Sequence, residues 1–419
     1  YSYSTADGRF KPDSMAIMNG GRYTCDTSKQ LWSGNFLNWA TMTRLDTIRK
    51  MLYGGKRYAD GVPNQAGTPT NTVTVLERAN LSMDSHSFAK YYNGLDIRDY
   101  TPFTIQDLTK STGSNANKYA GLTICNRSDE NTSGGSPVIR MAKGNYRMWA
   151  MVEGKEGRVC NWKPENNVAV IGAKLSRYFL DVDKGNSGIA HESDIPTEGT
   201  DSAAYSNIGP QIFARVRACV PNLLGEERCQ AFPATSTTNY KPYGIFQEFG
   251  LQKDLSSAAR AEFGVITGGY DKNLTAGVLR KNIGDFLDEI NIEDGTFCHS
   301  TGVSCSSGTN GGRSIKAGAI KSFDNIKLAG RLGAKDYEGT NYKIPSEHQD
   351  GELPAWGNPI GEMVAQALRY FSGGTSTNPS VNTVDASLNM PVATWSDPLS
   401  ASNAERNNLY GNPICRPMY

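Results

Sequence analysis

Residues 32–57 read WSGNFLNWATMTRLDTIRKMLYGGKR. Leu37, Ala40, Leu45, Ile48, Met51 and Leu52 recur at helical spacing, and Gly54-Gly55 supplies a stop, so the spacing predicts one amphipathic helix over 35–53. Trp32 and Trp39 add bulk beside it. Working outward, the Gly/Pro/Asn-rich run 56–72 reads as a loop and Thr72–Glu77 (TVTVLE) as a short strand. Residues 109–137, rich in Ser, Asn, Gly and Thr, read as a surface excursion. An apolar segment, 138–152, carries Tyr146, Met148 and Trp149.

Strand signals follow at 168–171, 177–182, 211–220 and 262–267, which makes the middle of the chain β-rich. Two helical patterns come next, Leu279/Ile283/Phe286/Leu287/Ile290 and Ile315/Ala319/Phe323/Ile326. The clearest helix is 359–371. Asn358 can cap it, Pro359 fits its first turn, and Ile360, Met363, Val364, Ala367, Leu368 and Phe371 form an apolar stripe expected to be buried. No repeat at a fixed period is present, so a propeller or solenoid within this segment is not supported. The fold class expected is mixed α/β.

Over 419 residues, 43 Lys and Arg nearly cancel 42 Asp and Glu. With no basic run, nothing supplies the cationic surface that nucleic acid or an anionic membrane requires. No apolar stretch is long enough for a membrane span. The chain begins at Tyr1 without the features of a signal peptide, which suggests a piece of something longer or a removed leader.

Eight cysteines are present: Cys25, Cys125, Cys160, Cys219, Cys229, Cys298, Cys305 and Cys415. None forms a C-x-x-C pair, so structural disulfides in an oxidising compartment are expected. The close pairs Cys219/Cys229 and Cys298/Cys305 are natural short bridges, and Cys125 could pair with Cys160. Eight cysteines nonetheless allow roughly a hundred connectivities, and spacing cannot choose among them.

Enzymatic and metal motifs are scarce. His86, His191, His299 and His348 lie far apart and form no H-E-x-x-H pattern. Cys298 beside His299 would suit a thiol nucleophile, but Cys305 offers it a bridge. Asp181, Asp183 and Asn186 place oxygens at alternate positions as calcium loops do, yet no closing Glu falls in register, and a turn at a strand end is the plainer reading. A metal-ion-dependent adhesion site needs Asp-x-Ser-x-Ser. Residues 254–258 offer Asp-Leu-Ser-Ser-Ala, so no metal is assigned, and no cofactor is expected in this segment. No phosphate-binding or hydrolase-elbow sequence occurs. A carbohydrate- or peptide-active enzyme would have to draw its carboxylates from distant positions.

The stretch 32–57, followed by TVLERA at Thr74, resembles the N-terminal region of PilY-type proteins, tip-associated adhesin and biogenesis factors of type IV pili. DIRDYTPF at Asp96, NYRMW at Asn145, RVRACVPNLL at Arg215 and NYKPYGIFQEFG at Asn239 extend it. So do FGVITGGYDKNLTAGVLRKNIGDFLDEIN at Phe263, WGNPIGEMVAQALRYFSGG at Trp356 and ATWSDP at Ala393. The resemblance implies a partial von Willebrand A-like unit with a large β-rich insertion: 1–60 part of the A-type domain, 61–355 the insertion, and 356–419 returning to it. With both ends of the insertion on one host sheet, Cys25 would be left to bond Cys415.

The resemblance further implies a non-enzymatic, secreted protein at the cell surface or type IV pilus tip, passing the periplasm and outer membrane. Its partners would be minor pilins and host-cell or abiotic surfaces, in pilus assembly and adhesion. The alternative is a processed fragment that self-associates as a structural subunit of an extracellular filament.

Overall fold

A computed structural model describes residues 1–61, 73–81, 88–105, 121–128, 136–143, 212–251, 259–268, 277–299, 316, 318–326, 360–374, 386 and 388–398. The chain divides into two compact units, each assembled from separated stretches. Unit 1 takes Tyr1–Arg44, Glu77–Arg217 and Gly333–Lys343; unit 2 takes Leu45–Leu76, Ala218–Leu332 and Ile344–Tyr419. These limits differ from the expected boundaries after residues 60 and 355.

The predicted helix over 35–53 is two helices, α1 (Gly34–Thr41) and α2 (Arg44–Tyr53). Ser33 caps α1 by accepting the Phe36 N–H at 3.3 Å. At the far end the Thr41 hydroxyl turns back to the Leu37 carbonyl at 2.6 Å, and Met42 leaves helical geometry at φ −72, ψ 132. Two threonines flanking one residue are poor helix formers, and their back-bonding competes with the helical ladder.

In unit 1, α1 lies on an antiparallel sheet of order β10-β9-β8-β7, formed by β7 (Phe88–Tyr92), β8 (Leu122–Ser128), β9 (Pro137–Lys143) and β10 (Ile212–Phe213). The core gathers Phe36, Leu37 and Ala40 of α1 with Leu122, Ile124, Ile139 and Met141 of the sheet. Asn126 donates its Nδ2–H to the Ala40 carbonyl at 2.7 Å, which pins the last turn of α1 to β8. Trp32 meets Phe10 and Phe103 edge-on.

Strands β1 (Ser2–Ser4) and β2 (Arg9–Lys11) are antiparallel, and β11 (Arg215–Arg217) joins β2 in parallel with Val216 opposite Phe10. The run 211–220, expected as one strand, is thus split at Ala214 between two sheets. A hairpin of β3 (Ile17–Asn19) and β4 (Arg22–Thr24) turns on Gly20 and Gly21, both at positive φ.

Unit 2 is built from hairpins and short helices. It contains β5 (Arg57–Asp60) paired with β6 (Thr74–Glu77), β12 (Cys229–Ala231) with β13 (Tyr240–Pro242), and β14 (Phe263–Thr267) with β15 (Val278–Gly284). Its helices after α2 are α3 (Ile245–Gly250), α4 (Ala319–Asn325) and α5 (Ile360–Phe371). The core joins Tyr53, Phe246, Phe286, Leu287, Ile290, Phe297, Ala319 and Ile320.

Residues 279–290, expected as a helix, are β15 followed by turns. Val278 and Leu279 are both buried because β15 is covered on two faces, so the alternation that marks a strand is absent there. The stripe of α5 also differs from expectation. Ile360, Val364 and Leu368 are 56%, 53% and 53% exposed, and the buried residue of the helix is Tyr370. Among the described residues no helix is long and apolar enough to cross a membrane.

Candidate functional site

Unit 2 hides a set of charges that hold its elements together. Lys241 of β13 places Nζ 3.0 Å from Asp60 Oδ1, 2.6 Å from the Gly61 carbonyl and 2.9 Å from the Thr74 hydroxyl. Arg57 reaches both Asp60 oxygens at 2.9 and 2.8 Å and the carbonyls of Gly295 and Pro242, while its guanidinium lies 3.5 Å over the Phe297 ring. Asp60 also accepts the Phe297 N–H at 2.7 Å. Burial pushes the Asp60 carboxyl up, but Arg57 and Lys241 more than offset it and leave it below the usual carboxylate range. Burial lowers Lys241, and Asp60 only partly offsets this.

A second group clamps α4 at both ends. The fully buried Glu289 carboxylate accepts the N–H groups of Ala319 and Ile320, each at 2.8 Å, where the helix dipole favours an anion. Arg49 donates to the carbonyls of Phe323, Asp324 and Ile326 at the other end. Lys281 sits 2.7 and 2.8 Å from the two Asp288 oxygens and 3.3 Å from Glu289. Burial raises the Glu289 carboxyl above its ordinary value despite Lys281 and the two amides. For Lys281, burial lowers the ammonium pKa, but Asp288 and Glu289 outweigh it and the net shift is upward.

Asp324 links two further side chains. It accepts from the Tyr53 hydroxyl at 2.7 Å and lies 3.2 Å from His299 Nε2. His299 is partly buried and stacks on the Phe297 ring.

Cys219 and Cys229 are bridged, with Cα atoms 5.8 Å apart. Their sulfurs lie near the Glu227 carboxylate, but sulfurs bonded to each other are not thiolate ligands. Glu227 instead accepts the Cys219 N–H at 2.7 Å. Cys125 and Cys298 are also disulfide-bonded, which closes Cys298 as a nucleophile. Cys25, whose expected partner Cys415 lies outside the described residues, carries a free thiol. Its N–H is tied to the Asp99 carbonyl at 2.7 Å within unit 1, and burial raises its thiol pKa. Cys160, Cys305, Cys415, Asp181, Asp183, Asn186 and residues 254–258 lie outside the described residues.

The sequence reading missed Asp60, Lys241 and Glu289. Arg57 and Asp60 bracket β5, and Lys241 lies in NYKPYGIFQEFG, so all three of that group fall in or beside quoted stretches. Their pairing across 181 residues has no local signature.

Residues 1–142 match the family model "PilY1 homolog, small alpha/beta domain", and residues 263–419 match "PilY1 homolog, second domain". A curated protein named type IV pilus biogenesis factor PilY1 homolog, from Xylella fastidiosa, is 30% identical over 396 residues. The match covers 92% of this chain and 22% of that relative. Another relative of the same name and organism is 40% identical over 57 residues, 14% of this chain and 4% of its own length. No solved structure matches.

Proposed function

This chain belongs to the PilY1 homolog family, and from that premise we propose that it serves type IV pilus biogenesis as a non-catalytic, cell-surface assembly and adhesion segment at the pilus tip. The observation that carries the reading is the 30% identity to a pilus biogenesis factor along 92% of the chain. The buried charges of unit 2 support it, because each is occupied in joining elements to one another, as a scaffold requires. Minor pilins and host or abiotic surfaces are the partners proposed. The architecture belonging to this reading is a von Willebrand A-like unit with a β-rich insertion, and units built from separated stretches are in keeping with it.

The test is genetic. In a strain lacking the native gene, a copy of the whole protein deleted for this segment should fail to restore surface pili, twitching and surface attachment. Normal piliation and attachment in that strain would overturn the proposal. Normal piliation with lost attachment would leave adhesion and remove the biogenesis role.

A further inference from the structure

Lys281, Asp288 and Glu289 bring an amine and two carboxylates together inside unit 2. The Lys281 side chain is 3% exposed and that of Glu289 not at all. Lys281 Nζ lies 2.7 and 2.8 Å from the two Asp288 oxygens, so the carboxyl carbon between them stands at roughly the 3–3.5 Å from which a bound nucleophile attacks. Glu289 Oε1 reaches the same nitrogen at 3.3 Å, while the two oxygens of that carboxylate accept the N–H groups of Ala319 and Ile320. The set is tightly built. A Cβ at position 318, where the chain has Gly318, would meet Glu289 Oε1 at 2.6 Å and the Lys281 Cβ at 3.3 Å. The Lys316 N–H holds the Asp288 carbonyl at 2.9 Å, and the buried Phe286 ring lies 4.9 Å from Nζ.

We propose that Lys281 and Asp288 become joined by an intramolecular amide once unit 2 has folded, with Glu289 as the group that moves the protons. The step balances without a co-reactant. Glu289 takes a proton from the Lys281 ammonium, the freed amine attacks Asp288 Cγ, and Glu289 passes the proton to the departing oxygen. The Nζ–Cγ bond forms, one Cγ–O bond breaks, a second Nζ proton follows the first, and one water leaves. Asp288 and Glu289 hold Lys281 as the ammonium at rest, so transfer to Glu289 comes first. Burial raises the Glu289 carboxyl, which makes it the stronger base for that transfer. Fixed geometry favours the bond, because well-oriented partners react as though at about 10⁵–10⁸ M. The product also suits its surroundings better, since a neutral amide replaces two buried charges. This inference goes beyond the pilus role and does not depend on it.

Intact mass and tryptic mapping of the purified chain, denatured, reduced and alkylated, test it. The chain should weigh one water less than its sequence, and trypsin should no longer cut after Lys281. Fragmentation of the resulting 281–313 peptide should place the lost water between Lys281 and Asp288. Lys281→Arg keeps the positive charge but has no amine to acylate, and should return the full mass. Glu289→Gln chains that remain folded by circular dichroism should form the link at least about a hundredfold more slowly. A wild-type chain at full mass, with trypsin cutting after Lys281, overturns the proposal whatever the variants do. Water lost elsewhere with Lys281 still cleaved overturns it too. A link at Glu289, or one that forms equally fast in Glu289→Gln, overturns the roles assigned to the two carboxylates.

Discussion

Lys241 and Asp60 form an ion pair 3.0 Å long between side chains with no solvent exposure, and 181 residues separate them in the chain. Removing one partner of such a pair leaves the other charge buried without compensation. Lys241→Met should therefore destabilise unit 2 by about 3–5 kcal/mol in urea unfolding. A loss below about 1 kcal/mol would show that Arg57 alone satisfies Asp60.

Glu289 gives a pH signature. Its folded-state pKa is raised, so its contribution is fully present below the ordinary glutamate value of about 4.3 and is lost as pH rises through the folded value. Asp60 acts in the opposite sense, because its depressed pKa gives stability above the ordinary aspartate value that fails as pH falls. Glu289→Gln should flatten the decline of stability from pH about 4.3 toward neutrality. Superimposable stability–pH curves for the two proteins would contradict this.

The bridge at Cys219 and Cys229 closes a ten-residue separation. Cys219→Ser with Cys229→Ser should cost about 2–3 kcal/mol. Alkylation under denaturing, non-reducing conditions should modify Cys25 and spare Cys219 and Cys229, with peptide mapping as the readout. Finding Cys25 in a mixed peptide would restore a bond to it.

Asn282 joins β15, α5 and the ATWSDP segment: its Nδ2 donates to the Thr394 carbonyl, and its Oδ1 accepts from Tyr370 and from the Ser396 N–H. Asn282→Ala should destabilise by about 1–3 kcal/mol and expose residues 391–398 to limited proteolysis. Leu368→Ala, at an exposed site, should cost less than about 1 kcal/mol in this chain, whereas Phe286→Ala should cost about 3–5 kcal/mol. A large Leu368→Ala effect would place that side chain in the core.

Local signals were legible where one rule governed. The strand at 74–77, the strand at 263–267, the short bridge and α5 all follow from period or spacing. The break after Thr41 came from side-chain competition with the backbone, which a hydrophobic count does not register. Val278 and Leu279 defeated the period reading because both faces of β15 are covered. The charges were illegible for another reason: Arg49 and Asp46 on α2 look like the solvent side of an amphipathic helix, and only the fold shows that their side faces inward.

The division of each unit among separated stretches sets a timetable. Asp60 leaves the ribosome long before Lys241, and α4, which Glu289 and Arg49 grip at its two ends, follows later still. Until then β5 carries a carboxylate whose second counter-ion has not yet been made, so it gains little by closing over it. Long-range pairings of this kind repay the entropy of loop closure only when the last contributor arrives. Unit 2 therefore matures late during synthesis, and a chain interrupted between residues 60 and 241 would leave the first half of that core waiting, open to a chaperone or a protease.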